Sequence, residues 1–141
     1  MSVDENKAIA RSAFDALMAG NLAPLDHLLA PDCVLHQCGW LQPIRGAERI
    51  KHLRGGRQLV SQRQVRLDTI VAEADTVAIH WHTEGLYADP GDPHRAGQAV
   101  SFMSMSFLRL DEGTIREIWN IQDMSTVWSQ LGSSDDTTST G

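Results

Sequence analysis

Gly113-Thr114-Ile115-Arg116-Glu117-Ile118-Trp119-Asn120-Ile121-Gln122-Asp123, followed shortly by Gln130-Leu131-Gly132, reads as a turn, a strand ending in polar residues, and a short helix. Asp111-Glu112-Gly113 is the tight connection, Thr114 to Gln122 the last strand, and Ser125 to Leu131 the helix. Working back from there, strands dominate. Gln98 to Leu110 is one strand. Ala88-Asp89-Pro90-Gly91-Asp92-Pro93-His94 is turn chemistry, too rich in proline for a sheet interior. Thr76 to Tyr87 is a long run of β-formers, with a turn at Glu73 to Asp75 before it. From about Arg63, the residues Val65, Leu67, Thr69 and Val71 alternate with Arg66 and Asp68, which is the period of a half-buried strand.

The first third has a helical period instead. Ser2-Val3-Asp4-Glu5 is a capping box, and Ile9, Ala10, Ala13, Phe14 and Leu17 recur on one helix face. Gly20 supplies the stop, and Asn21 is expected to cap a second short helix carrying Leu25, Leu28 and Leu29. Cys33 to Cys38 is a short strand and Gly39 to Pro43 a loop. Gly46 opens a third helix with Ala47, Ile50 and Leu53 on one face, loosened afterwards by Gly55-Gly56. Helices followed by an antiparallel meander give an α+β architecture. A curved antiparallel sheet covered on one side by the N-terminal helices forms a cone, and its mouth is a ready pocket. Residues 1–132 are expected to be one domain, and 133–141, without an apolar residue, a disordered tail.

A chain of 141 residues suits one core. With 42% apolar and 21% charged residues it has an ordinary globular composition. Its net charge of -6 and pI near 5.4 argue against nucleic acid or an anionic membrane as partner. No run approaches the roughly 18 apolar residues of a membrane span, and no basic stretch precedes an apolar one, so the cytoplasm is the expectation. Cys33 and Cys38 fall on opposite faces of their strand and are read as two free thiols.

The order and spacing of four stretches resemble the SnoaL-like polyketide cyclases of the nuclear-transport-factor-two-like superfamily. They are Arg11 to Leu29 running into Ala30-Pro31-Asp32, then Val34-Leu35-His36, then Val77 to Gly85, then Leu108-Arg109-Leu110 with Gly113 through Gly132. The resemblance implies an α+β barrel and a homodimer paired through the outer sheet face. It also implies a cofactor-free reaction on a polyketide-like intermediate of natural-product assembly. In such cyclases an acid/base carboxylate sits near the end of the last strand, where this chain has Asn120. An amide donates and accepts hydrogen bonds but shuttles no proton at neutral pH. A histidine of the preceding strand falls on Ser106, and Asp123 matches a second family aspartate. A plainer role for Asp123 is to cap the following helix through the amide of Ser125 or Thr126.

His80, His82 and Glu84 alternate along one strand and share one sheet face. That face either lines the cone, giving two imidazoles for acid/base work, or lies outside, toward solvent or a second copy. The same His-x-His-x-Glu run suits a divalent metal, but helices before strands is the wrong order for a cupin barrel, so no metal and no cofactor is expected. His36 on the first strand is a further pocket candidate. The candidate catalytic set is therefore His36, His80, His82, Asn120 and Asp123. Phe14, Trp40, Met103, Met105, Ser106 and Trp119 are the candidate contacts for a hydrophobic substrate. Met103 and Met105 alternate with Ser104 and Ser106, so one face is thioether-rich and the other hydroxylated. Either could face the cavity. A histidine would move the proton while Asn120 and Ser106 bind a carbonyl or enolate oxygen. Alternatively the cavity enforces a folded conformation for a pericyclic closure. A hydrolase or hydratase, and a non-catalytic dimeric binding module, are the other readings. The Ala88 to Ala96 loop is expected as a lid.

Overall fold

The computed structural model describes residues 2–55 and 59–132. Helix α1 (Val3–Ala19) starts with the expected box: the Ser2 hydroxyl accepts from the Glu5 amide, and the Glu5 carboxylate accepts from the Ser2 amide. Ala10, Ala13, Phe14 and Ala16 form its buried stripe. Gly20 ends the helix at φ 73°, in the left-handed region that favours glycine. The Asn21 amide turns back to the Ala16 carbonyl. Asn21 thus closes α1 instead of capping the next helix, and α2 (Leu25–Leu28) is one turn led by Pro24.

Strand β1 (Leu29–Gln37) begins ahead of the expected Cys33. A short strand not foreseen, β2 (Ile44–Arg45), pairs with it. Helix α3 (Ala47–Gly55) buries Ala47 and Ile50, but Leu53 is left exposed. The meander then follows: β3 (Val60–Glu73), β4 (Thr76–Tyr87), β5 (Ala99–Asp111) and β6 (Thr114–Gln122). Helix α4 (Met124–Gln130) ends the described chain. The sheet is six-stranded and unclosed, in the order β2-β1-β6-β5-β4-β3. It is antiparallel as expected except that β1 runs parallel to β6. Strands β2 to β5 and helix α3 lie between these two strands in the chain, which is the long connection parallel pairing needs.

Irregularities interrupt the ladders of the meander. Between β3 and β4 the register shifts once around Gln62 and Arg63 and once at Asp68; between β5 and β6 it shifts at Arg116. Such bulges bend a strand and increase its twist, which curves the sheet. Gly85 sits opposite the first of them. A Cβ there would meet Val60 Cγ1 at 2.4 Å and the Ser61 carbonyl oxygen at 2.6 Å, so only glycine fits.

The alternation of β4 decides which face is inside. Val77, Ile79, Trp81 and Thr83 are buried, and α1 covers them. The Phe14 ring meets Trp81 edge-on, with centroids 5.3 Å apart. Leu35, Ile115 and Ile118 extend this core, each side chain contributing about 1.5–3 kcal/mol by burial. A second cluster of Val60, Tyr87, Val100, Phe102, Val127 and Leu131 lies at the α4 end. The connection 88–96 holds one short turn at Pro93–Arg95 and is tied by the Ala88 amide to the Leu59 carbonyl. It lines neither of the two cavities described below, contrary to the expected lid. The tail 133–141 and Gly56 lie outside the described residues. Among those described, no helix is long and apolar enough to cross a membrane.

Candidate functional site

The strands carry two different chemistries on their two faces. On the helix-covered face, Asn120 is 3% exposed and sits in a string of neutral polar groups. Its Oδ1 accepts from the Ser106 hydroxyl at 2.6 Å, and its Nδ2 donates to Gln37 Oε1 at 3.0 Å. Register explains the meeting. Ser106 pairs with Asn120 across β5 and β6, and Gln37 pairs with Asn120 across β1 and β6. Ser104, one step along the same face, is 1% exposed, and its hydroxyl has no hydrogen-bond partner among the described residues. An unpaired buried hydroxyl costs about 1–3 kcal/mol, and Ser104 lines neither of the cavities described below. Cys33 also faces inward, and burial raises its thiol to about 11. Among the described residues, the strand positions of this face present amides, hydroxyls and a thiol, but no carboxylate or imidazole.

The titratable groups are on the open face. His36 stacks on Trp119 with centroids 5.2 Å apart, and its Nε2 lies 2.6 Å from Glu117 Oε2. Arg109 holds the other oxygen of Glu117 at 3.1 Å. The hydrogen bond from His36, ahead of that from Arg109, keeps the Glu117 carboxyl below its ordinary range. His80 and His82 stand beside Asp68, which Arg66 first and His82 second hold down to about 2. A cavity of about 520 Å³ opens on this side. Its wall includes His36, Trp40, His80, Met105, Phe107 and Trp119, and it reaches Ser106 and Asn120. A second cavity of about 350 Å³ near Gln62, Glu84 and Gln130 has none of the candidate residues.

The structure therefore brings together His36, Trp40, His80, Met105, Ser106, Trp119 and Asn120 around one cavity. It does not bring together the side chains of His80 and His82 with those of Ser106 and Asn120. The histidines project from the face opposite, because Ile79 and Trp81 take the core positions. The same parity answers the serine and methionine question: Ser104 and Ser106 face the helices, Met105 is exposed and Met103 half-buried on the open side. Phe14 is a core residue packed on Trp81. Asp123 is the α4 cap: its carboxylate accepts from the Thr126 amide, the Thr126 hydroxyl and the Ser125 hydroxyl. These bonds, that of the Thr126 hydroxyl first, lower its pKa below the ordinary aspartate value. Gln37, Ser104, Glu117 and Asp68 were missed. Gln37, Ser104 and Glu117 were legible as same-face partners of Leu35, Ser106 and Trp119, whereas the bulge that places Asp68 leaves no trace in the periodicity.

With that geometry in view, the SnoaL-like domain family matches residues 10–118. The chain belongs to the SnoaL-like domain family. It is similar to a candidate SnoaL-like polyketide cyclase from Jannaschia sp. CCS1 at 18% identity, with a TM-score of 0.80 over 92% of this chain and 93% of that one. IdmH from Streptomyces antibioticus, also a candidate polyketide cyclase, is 25% identical, with a TM-score of 0.79 over 90% and 98%. An LEH-like epoxide hydrolase of M. tuberculosis shares the fold at 19% identity, with a TM-score of 0.71 over 92% and 86%. Comparison with curated proteins finds no match. This SnoaL-like chain thus shares its fold with enzymes of different chemistries, and its own site must carry the functional argument.

Proposed function

We propose that this SnoaL-like protein is a cofactor-independent cyclase or isomerase acting on a polyketide-like intermediate. The observation that carries this is the buried string Gln37, Asn120 and Ser106, with the unpartnered Ser104 hydroxyl beside it. An amide and hydroxyls in a water-poor place bind a carbonyl or enolate oxygen and hold a flexible chain folded for ring closure. The face supplies no side chain that shuttles protons at neutral pH, so the reading favours closure by enforced conformation over histidine-driven acid/base chemistry. The experiment is turnover of polyketide-like test substrates as a function of pH. The expected rate is flat from mildly acidic to mildly basic pH, and Asn120→Leu abolishes it while the chain stays folded. A rate unchanged in folded Asn120→Leu would overturn the reading, and oxygen from labelled water in the product would favour a hydrolase.

The same reading includes a homodimer through the open face. Trp40, Val71, Met105, Phe107, Trp119 and Ile121 leave large apolar side chains exposed there, more than a monomer ordinarily shows in one patch. A second reading rests on the 520 Å³ cavity: a hydrophobic molecule held between Trp119 and Phe107 without chemistry. Trp119→Ala would then remove ligand binding, whereas the cyclase reading requires Asn120 for it.

A further inference from the structure

Asp68, His80 and His82 meet on the open face, from two neighbouring strands. The β3–β4 register runs Arg66 to His82 and Leu67 to Trp81, then resumes at Thr69 to His80. Asp68 is thus an extra residue, and a bulge of this kind re-aims a side chain. Its Oδ2 lies 2.5 Å from His82 Nδ1 and 3.9 Å from His80 Nδ1. One donor atom from each of the three residues lies within 4.8 Å of the other two. The two imidazole centroids are 5.3 Å apart and the rings meet edge to face, not stacked.

We propose that Asp68, His80 and His82 form a binding site for a divalent first-row transition metal ion such as zinc. Bond lengths of about 2.0–2.1 Å in tetrahedral geometry put donor atoms about 3.3 Å apart, and the observed 2.5 and 3.9 Å bracket that value. Rotation of the side chains closes the difference while the ladder holds both strands. Two imidazoles and one carboxylate suit zinc, cobalt, nickel or copper, whereas magnesium and calcium take oxygen ligands. In the single chain the side chains are 21%, 31% and 38% exposed for Asp68, His80 and His82, so coordination positions beyond these three ligands are left open. Arg66 donates to Asp68 Oδ1 at 2.6 Å and orients the carboxylate so that Oδ2 faces the histidines. Glu84, the acidic member of the His-x-His-x-Glu run, is replaced in this role by Asp68 of the adjacent strand. The site is on the face opposite the Asn120 side chain and stands apart from the ring-closure reading. Its direct consequence is to tie the sheet-edge strand β3 to β4.

The test is titration of the full chain, stripped with a chelator, with zinc chloride followed by calorimetry. One ion per chain is expected, together with a rise in the melting midpoint at saturating zinc. His80→Gln and His82→Gln, which remove a ligand, should each weaken binding by more than about 100-fold, whereas Arg66→Gln, which removes only the partner orienting the carboxylate, should cost no more than about 10–100-fold. On the unmodified chain, zinc should shift the ring-nitrogen resonances of His80 and His82 and leave those of His27, His52 and His94 in place. No saturable uptake overturns the proposal. So does half an ion per chain, or uptake that survives in the double variant His80→Gln/His82→Gln. Should that variant fail to fold, unmoved His80 and His82 resonances overturn it equally.

Discussion

The two faces of one sheet differ by a single residue step, and that step separates almost all of the titratable chemistry from the neutral chemistry. On β4, Trp81 goes to the core while His80 and His82 go outside; on β5, Ser106 goes inside while Met105 goes out. On β6, Asn120 is buried between the exposed Trp119 and Ile121. On the inner face Gln37, Asn120 and Ser106 hydrogen-bond one another and carry no charge, as burial demands. The outer face holds ion pairs next to large apolar side chains, a mixture suited to an interface or a binding groove. A face is therefore a better unit of functional reading here than a motif, since His80-Trp81-His82 spans both.

The largest expected effect is at the inner face. Trp81→Ala should cost about 3–5 kcal/mol in chemical denaturation, because it empties the contact with Phe14. A loss below about 1 kcal/mol would mean that the inner face is not the core. Next, Phe107→Glu should halve the mass measured by light scattering while leaving the circular dichroism spectrum intact. A parent chain that is already monomeric would remove the outer face as an interface. The cysteines sharpen the contrast by reactivity. Cys33 is buried with its thiol near 11, ionised to about one part in a thousand at pH 8, whereas Cys38 is exposed. Alkylation of the native protein should therefore modify Cys38 and leave Cys33 until denaturant is added; equal rates would contradict the inward placement of Cys33. The smallest effect belongs to Asp123. Its folded pKa is lowered, so the stability it contributes is present above the unfolded aspartate value of about 3.9 and is lost as pH falls through the lower folded value. The drop in melting midpoint caused by Asp123→Ala should thus shrink as pH falls from 7 toward 3, and a constant drop would show that the charge is not what caps α4.

Periodicity and turn chemistry alone determined the α+β order of elements, the Ser2 cap of α1, the Gly20 stop and the long strands of the meander. These are local properties, set by dihedral preferences and hydrogen bonds a few residues apart. They also determined that His80, His82 and Glu84 share a face, because strand alternation is fixed by the backbone. Which face turned inward was decided only by tertiary structure, when α1 packed Phe14 onto Trp81. The same holds for the parallel pairing of β1 with β6, which brings Gln37 to Asn120 across 83 positions of sequence, and for the bulge that swings Asp68 between two histidines. The physical reason is common to all three. A contact between distant segments depends on register, and register is set by the burial of whole faces and shifted by single extra residues, neither of which leaves a local mark in the chain.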